Sequence, residues 1–179
     1  MPRPIGWISS QSVDGSANLA PYSFFNMIDG NPPFVMFSSL GRKDSQKNIE
    51  ATGEFVVNMA VAALKKAVNA SAAPVDPDVD EFDLVGLEKA PCRNVTVPRV
   101  AASPIALECK LNQVLPLVTL GGIKGASEVV IGEVVGVHIS DQVIVNGKLD
   151  PQLIQPLSRL GYMDYAIVDE VFEILRPSS

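Results

Sequence analysis

The chain has 179 residues, 47% of them apolar and 19% charged, and its 14 basic and 20 acidic side chains give a net charge of −6. A chain of this length buries roughly 70% of its unfolded surface, so it needs neither disulfide nor metal to hold a core. The acidic balance argues against a nucleic-acid-coating or anionic-membrane role, and Gly, Pro or charge interrupts every apolar run before the roughly 20 residues of a membrane span.

Residues 4–10, with Ile5, Trp7 and Ile8, read as a strand. Asp14-Gly15 offers a tight turn, and residues 17–26 run back as a second strand. Pro21 has no N–H for a ladder, so that second strand should lie at a sheet edge or carry a bulge. Residues 34–37 form a short, continuously apolar strand after Pro32-Pro33. Asp44-Ser45 supplies a helix N-cap and Gly53 a C-terminal stop, which brackets a helix of about nine residues. Residues 55–59 are the next strand, and residues 61–70 place Val61, Leu64 and Val68 on one helical face.

Residues 71–104, rich in Pro and acid, read as an irregular covering segment. Strands return at 105–115, 129–139 and 143–145, and Asn146-Gly147 is the strongest hairpin signal in the chain. Asp150-Pro151 opens a short helix before strands at 165–168 and 171–175. Consecutive strands are joined by turns and not by βαβ crossovers, and neither repeats nor a linker divide the chain. The expectation is one mostly β domain over residues 1–179, an antiparallel barrel or sandwich with a few helices outside.

The residue inventory excludes several chemistries. His138 is the one histidine, in an alternating strand-like stretch, so a multi-histidine metal site is impossible and a structural role is the better reading. Asp76, Asp78, Asp80, Glu81 and Asp83 imitate a calcium loop but fail where Glu81 replaces the turn Gly and Leu87 the bidentate Glu; a solvated loop is expected. Gly121, Gly122 and Gly125 do not have dinucleotide-binding spacing. Cys92 and Cys109 form no CxxC pair, and the N-terminus lacks the layout of a secretory signal. A reduced, cytoplasmic protein follows as an expectation, and the two Asn-x-Ser/Thr sites carry no meaning there.

Two segments suggest a binding site. In the stretch from Ser38 to Asn48, two hydroxyls end a buried strand, Gly41 turns the backbone, and Arg42 and Lys43 precede a helix N-terminus. Unpaired amides and the helix dipole there favour a phosphate or carboxylate, with Arg42 able to grip it bidentately and Lys43 acting as a point charge. A capped helix with two exposed cations is the alternative. In Asn18-Leu19-Ala20-Pro21-Tyr22-Ser23, backbone groups freed by Pro21 beside small side chains could meet a flat polar ring, or the segment is simply an edge strand.

Taken together, several motifs resemble the flavin reductase-like family of FMN-binding split barrels. They are Pro2-Arg3-Pro4-Ile5-Gly6-Trp7-Ile8-Ser9, Asp14-Gly15, the stretch from Asn18 to Phe25, Pro32-Pro33, Lys43-Asp44-Ser45 with Asn48-Ile49, Thr52-Gly53-Glu54-Phe55-Val56-Val57-Asn58, Gly132-Glu133-Val134, and Arg159-Leu160-Gly161 with Tyr165. The resemblance spans nearly the whole chain. It implies a homodimer of Greek-key, six-stranded antiparallel β-barrels with flanking helices, and FMN in a groove near the dimer interface.

By that resemblance, Asn18, Leu19, Ala20, Pro21, Tyr22 and Ser23 hold the isoalloxazine ring. Ser38 and Ser39 contact the ribityl chain and phosphate, Arg42, Lys43, Ser45 and Asn48 bind the phosphate end, and Arg159 with Tyr165 closes over the flavin. No ionisable catalytic residue is required, because the flavin carries the chemistry. The implied reaction is reduction of FMN by NADH or NADPH, with reduced flavin leaving for a partner oxygenase or passing electrons onward. Family reductases often carry Asp-His just before the strand matching Gly132-Glu133-Val134, where the His helps seat nicotinamide; Ala126 and Ser127 stand there here. A non-catalytic FMN-binding electron carrier is therefore the alternative. Relatives usually have a further N-terminal segment ahead of the first motif.

Overall fold

The computed structural model describes residues 1–177. The chain runs through β1 (Arg3–Pro4), β2 (Gly6–Gln11), β3 (Ala17–Tyr22), β4 (Phe25–Gly30), β5 (Pro33–Leu40), α1 (Asp44–Thr52), β6 (Glu54–Met59), α2 (Lys65–Ala70) and α3 (Glu81–Leu84). It continues through β7 (Lys89–Ala90), β8 (Arg99–Val100), β9 (Ile105–Val118), β10 (Lys124–Ile139), β11 (Ile144–Val145), β12 (Lys148–Leu149), α4 (Pro151–Ile154), β13 (Leu157–Arg159) and β14 (Tyr165–Ile167).

Seven strands make one antiparallel sheet in the order β3-β2-β6-β9-β10-β5-β4. Six of them fill a single interior: Ile8, Tyr22, Val35, Phe37, Phe55, Val57, Cys109, Val130 and Val134 form one buried cluster. A flat sheet would keep β3 and β5 far apart, yet the Tyr22 and Phe37 rings lie 4.6 Å from each other. The sheet is therefore curled into a six-stranded barrel, and β4 hangs outside on β5 with every residue after Phe25 exposed. Gly132 lets the wall pass the core, since a Cβ there would stand 2.4 Å from Phe55 Cζ.

Helix α1 plugs one end by adding Ile49 to the same cluster, a burial worth about 1.5–3 kcal/mol. It ends at Gly53, at φ 75°, whose amide donates to the Ile49 carbonyl. The outer face of β2 and β3 is covered in turn: Trp7, Ala17 and Leu19 pack with Val68 of α2 and Phe82 of α3. Trp7 is fully buried, and its indole N–H donates to Ser71 Oγ at 2.9 Å. Among the described residues no helix is long and apolar enough to cross a membrane.

The expected elements differ in detail for identifiable reasons. The strand expected over 17–26 breaks after Tyr22, where the chain leaves β2, and the Phe24 carbonyl accepts from the Ser38 amide of β5. The cap expected at Asp44-Ser45 is absent. Lys43 is the capping residue, Asp44 opens the helix, and the Ser45 hydroxyl is drawn to Asn18 Oδ1 at 2.7 Å. The helix expected over 61–70 begins as a 3-10 turn (Ala62–Leu64), and Val143 lies in another (Asp141–Val143). Residues 171–175 have no partner strand and take no regular structure.

Candidate functional site

Among the described residues no strand pairs with the edge of β3 that faces away from β2. The Leu19 amide points outward there and donates to Glu81 Oε2 at 2.9 Å. Alternation along the strand sends Pro21 to the same side, where its missing N–H breaks no ladder bond. Across from this edge stand Ser38 and Leu40 of β5 and the first turn of α1, and a cleft of about 580 Å³ opens between them. Residues 71–75, Pro77 and Glu81 form its third wall, so part of the covering segment closes over the groove.

Of the residues expected at the site, Asn18, Ala20, Pro21, Tyr22, Ser23, Ser38, Lys43 and Ser45 line the cleft. The other five are placed elsewhere. Leu19 turns its side chain into the outer core and offers only its amide. Ser39 is buried behind the wall, donating to the Gly41 carbonyl at 2.8 Å. Asn48 reaches Ser10 Oγ at 3.3 Å, below the cleft floor. Arg42 turns outward, its Nε donating to Glu50 Oε2 at 2.8 Å with the side chain 63% exposed. Arg159 lies over the Tyr165 ring at 4.6 Å and donates to the Tyr162 carbonyl, while Arg3, opposite it in register, donates to Ser23 Oγ at 3.4 Å.

The α1 end of the cleft is electropositive. Lys43 makes no ion pair among the described residues, Lys47 holds Asp44 at 3.0 Å, and the first-turn amides lack a side-chain cap. Arg42 belongs instead to a chain of contacts on the far side of the helix. Glu50 also accepts from Gln46 at 2.8 Å, Gln46 donates to Glu128, and Lys124 lies 2.6 Å from Glu128. Lys124 and then Gln46 hold the Glu128 carboxyl below the ordinary range.

Along the cleft wall, polar groups are interlocked. Asn18 Nδ2 donates to Glu81 at 2.8 and 3.0 Å, and its Oδ1 accepts from Ser45 at 2.7 Å and Ser10 at 3.2 Å. Tyr22 differs, because its buried hydroxyl has no hydrogen-bond partner among the described residues. Burial raises its pKa, and neighbouring Ser45 and Ser39 offset this only in part. His138 lies near the opposite end of β10 from Ser127, which lines the cleft; burial first, then Arg99 and Arg93, lower its pKa.

Sequence reasoning missed Lys47, the small and proline residues of 71–77, and Glu81 as cleft-forming groups. A helical pattern ending in Ser71-Ala72-Ala73-Pro74 was the available signal for the third wall. Nothing local marks Glu81, whose partner lies 63 residues away.

The sequence model of the flavin reductase like domain matches residues 1–157. An uncharacterised protein of Halalkalibacterium halodurans is 36% identical over 99% of this chain and 87% of its own length. The crystal structure of nitrilotriacetate monooxygenase component B from Bacillus cereus superposes with a TM-score of 0.90 at 32% identity, covering 97% of this chain and 88% of that one. The 2-nitrobenzoate 2-nitroreductase of Pseudomonas fluorescens superposes with a TM-score of 0.87 at 29% identity, covering 99% and 86%.

Proposed function

The chain belongs to the flavin reductase-like domain family, and on that premise we propose that it is an FMN-binding oxidoreductase that takes hydride from NADH or NADPH. The cleft between the open β3 edge and the uncapped, lysine-bearing start of α1 carries this reading. Its residues fit the cofactor on two counts: an electropositive end suited to a phosphate, and a buried Tyr22 hydroxyl still lacking a partner. When bound, the flavin supplies hydride acceptance at N5, so the protein need only bind, orient and shield it.

Lys43 and the first-turn amides of α1 hold the phosphate, with Ser38 and Ser45 next along the wall toward the ring. Asn18, Ala20, Pro21, Tyr22 and Ser23 orient the ring along the β3 edge, and residues 71–77 exclude water from it. Arg42, Asn48 and Ser39 act behind these groups by fixing the turn and helix that carry Lys43. Arg159 and Arg3 together shape the Ser23 end. Similarity to a monooxygenase component supports a partner oxygenase that consumes the reduced flavin.

Residues 1–179 act as one domain, and the assembly is a homodimer. Leu115, Leu117, Val118, Leu120 and Ile123 on the β9–β10 hairpin are exposed, as are Val135 and Val137 further along β10, and apolar side chains left in water support an interface between copies. Sedimentation tests this; a stable monomer loaded with FMN refutes it. Two unpaired cysteines support a reducing, cytoplasmic setting.

Ser127 on the cleft wall favours a second reading, an FMN-binding electron carrier, because its hydroxyl cannot do the work of an imidazole in seating nicotinamide. Anaerobic visible spectra of the FMN-loaded protein separate the two. Bleaching by NADH or NADPH supports the reductase, whereas a flavin spectrum unmoved by either donor supports the carrier. Failure to take up added FMN would refute both.

A further inference from the structure

Glu81 has no part in the reading above, yet its position is unusual. The residue is 5% exposed, forms part of the cleft wall, and has no cation paired with it among the described residues. A carboxylate buried without a cation is unfavourable unless hydrogen bonds compensate. Here three do: Oε1 accepts from Asn18 Nδ2 at 2.8 Å, and Oε2 accepts from Asn18 Nδ2 at 3.0 Å and from the Leu19 amide at 2.9 Å.

These bonds decide what the β3 edge has left to offer. The Leu19 amide is consumed, and one Asn18 Nδ2–H is shared between the two carboxylate oxygens. Pro21, next on the outward side, has no N–H at all. Asn18 cannot turn to present its nitrogen elsewhere, because its oxygen is held by Ser45 at 2.7 Å and Ser10 at 3.2 Å. What β3 presents outward at Leu19 and Pro21 is carbonyl oxygen, with a carboxylate beside it.

We infer that Glu81 is a specificity-determining positioning residue that strips the β3 edge of hydrogen-bond donors, so that the cleft selects a planar ring whose rim donates. Its negative charge in the same wall also disfavours the addition of electrons to that ring. The second consequence rests on the flavin reading, whereas the first does not. Burial, which pushes the Glu81 pKa up, is opposed by the Leu19 amide and by Asn18, whose bonds favour the charged form.

Glu81→Gln and Glu81→Ala test both consequences. In the protein without flavin, loss of the acceptor in Glu81→Ala should speed amide exchange at Leu19 roughly tenfold, as expected for one hydrogen bond, while Glu81→Gln keeps an acceptor and most of the protection. In the FMN-loaded protein, Glu81→Gln should move the flavin midpoint potential to a more positive value than wild type. Unchanged Leu19 exchange in Glu81→Ala overturns the stripping of the edge. A potential in Glu81→Gln equal to or below wild type overturns the charge effect. If wild type takes up no FMN, the flavin reading fails, while exchange at Leu19 still decides the first consequence. Should Glu81→Ala not fold, a Glu81→Leu variant serves for the exchange measurement, and Leu19 protection equal to wild type there overturns the proposal.

Discussion

Removing the Lys43 ammonium should weaken FMN binding more than removing the Arg42 guanidinium, although the two cations are adjacent in sequence. Lys43 lines the cleft and makes no ion pair among the described residues. Arg42 is committed to Glu50 on the other side of α1. Two unit charges 4 Å apart attract by about 1 kcal/mol in water and about 4 kcal/mol at an effective dielectric of 20. Lys43 is exposed, which favours the lower figure, while a phosphate carries between about 1.5 and 2 charges. Salt screening leaves about 1–2 kcal/mol, or roughly a 5- to 30-fold rise in dissociation constant for Lys43→Ala. Arg42→Ala should stay within about threefold, since an exposed ion pair contributes 1 kcal/mol or less. Quenching of FMN fluorescence on titration measures both, and the Lys43 effect should shrink at high salt. A larger loss in Arg42→Ala than in Lys43→Ala would refute the placement of the phosphate.

Two further predictions concern packing and thiols. Gly132→Ala places a methyl group 2.4 Å from Phe55 Cζ with the Lys110 carbonyl at 3.2 Å, so it should destabilise by about 1–3 kcal/mol; an unaltered thermal midpoint contradicts the close approach of β10 to the core. Burial pushes the Cys92 thiol up to about 11 and raises Cys109 as well, which keeps both protonated and inert at neutral pH. At neutral pH a thiol reagent should therefore leave Cys109 unlabelled before unfolding and label half-buried Cys92 only slowly, faster as pH rises toward its pKa; prompt labelling of Cys109 in the folded protein would count against its burial.

Local chemistry was readable where a single segment decides the outcome. Asp44 to Gly53 gave the length and stop of α1, because a left-handed glycine ends a helix wherever it stands. Asn146-Gly147 gave the β11–β12 hairpin, with both residues at positive φ. Pro21 marked the edge strand that opens the cleft. What stayed hidden depends on partners distant in the chain. The Ser45 hydroxyl resembled a cap until Asn18, 27 residues earlier, drew it away. Glu81 read as one more acid in a solvated loop, because its burial depends on β3, 63 residues upstream. Arg42, as a bidentate grip, and Lys43, as a point charge, both read as anion ligands, and only the fold around the helix they precede sends Arg42 outward and leaves Lys43 in the groove.

The chain contains a single tryptophan, and its indole is tied by hydrogen bond to the first residue of the segment that roofs the cleft. Indole emission shifts with the loss of a hydrogen bond and with the arrival of water, so displacement of Ser71 alters the light that Trp7 emits. The protein thus carries an optical gauge of its own roof. Whatever small molecule lifts or seats residues 71–77 reports its arrival without an added dye and without turnover.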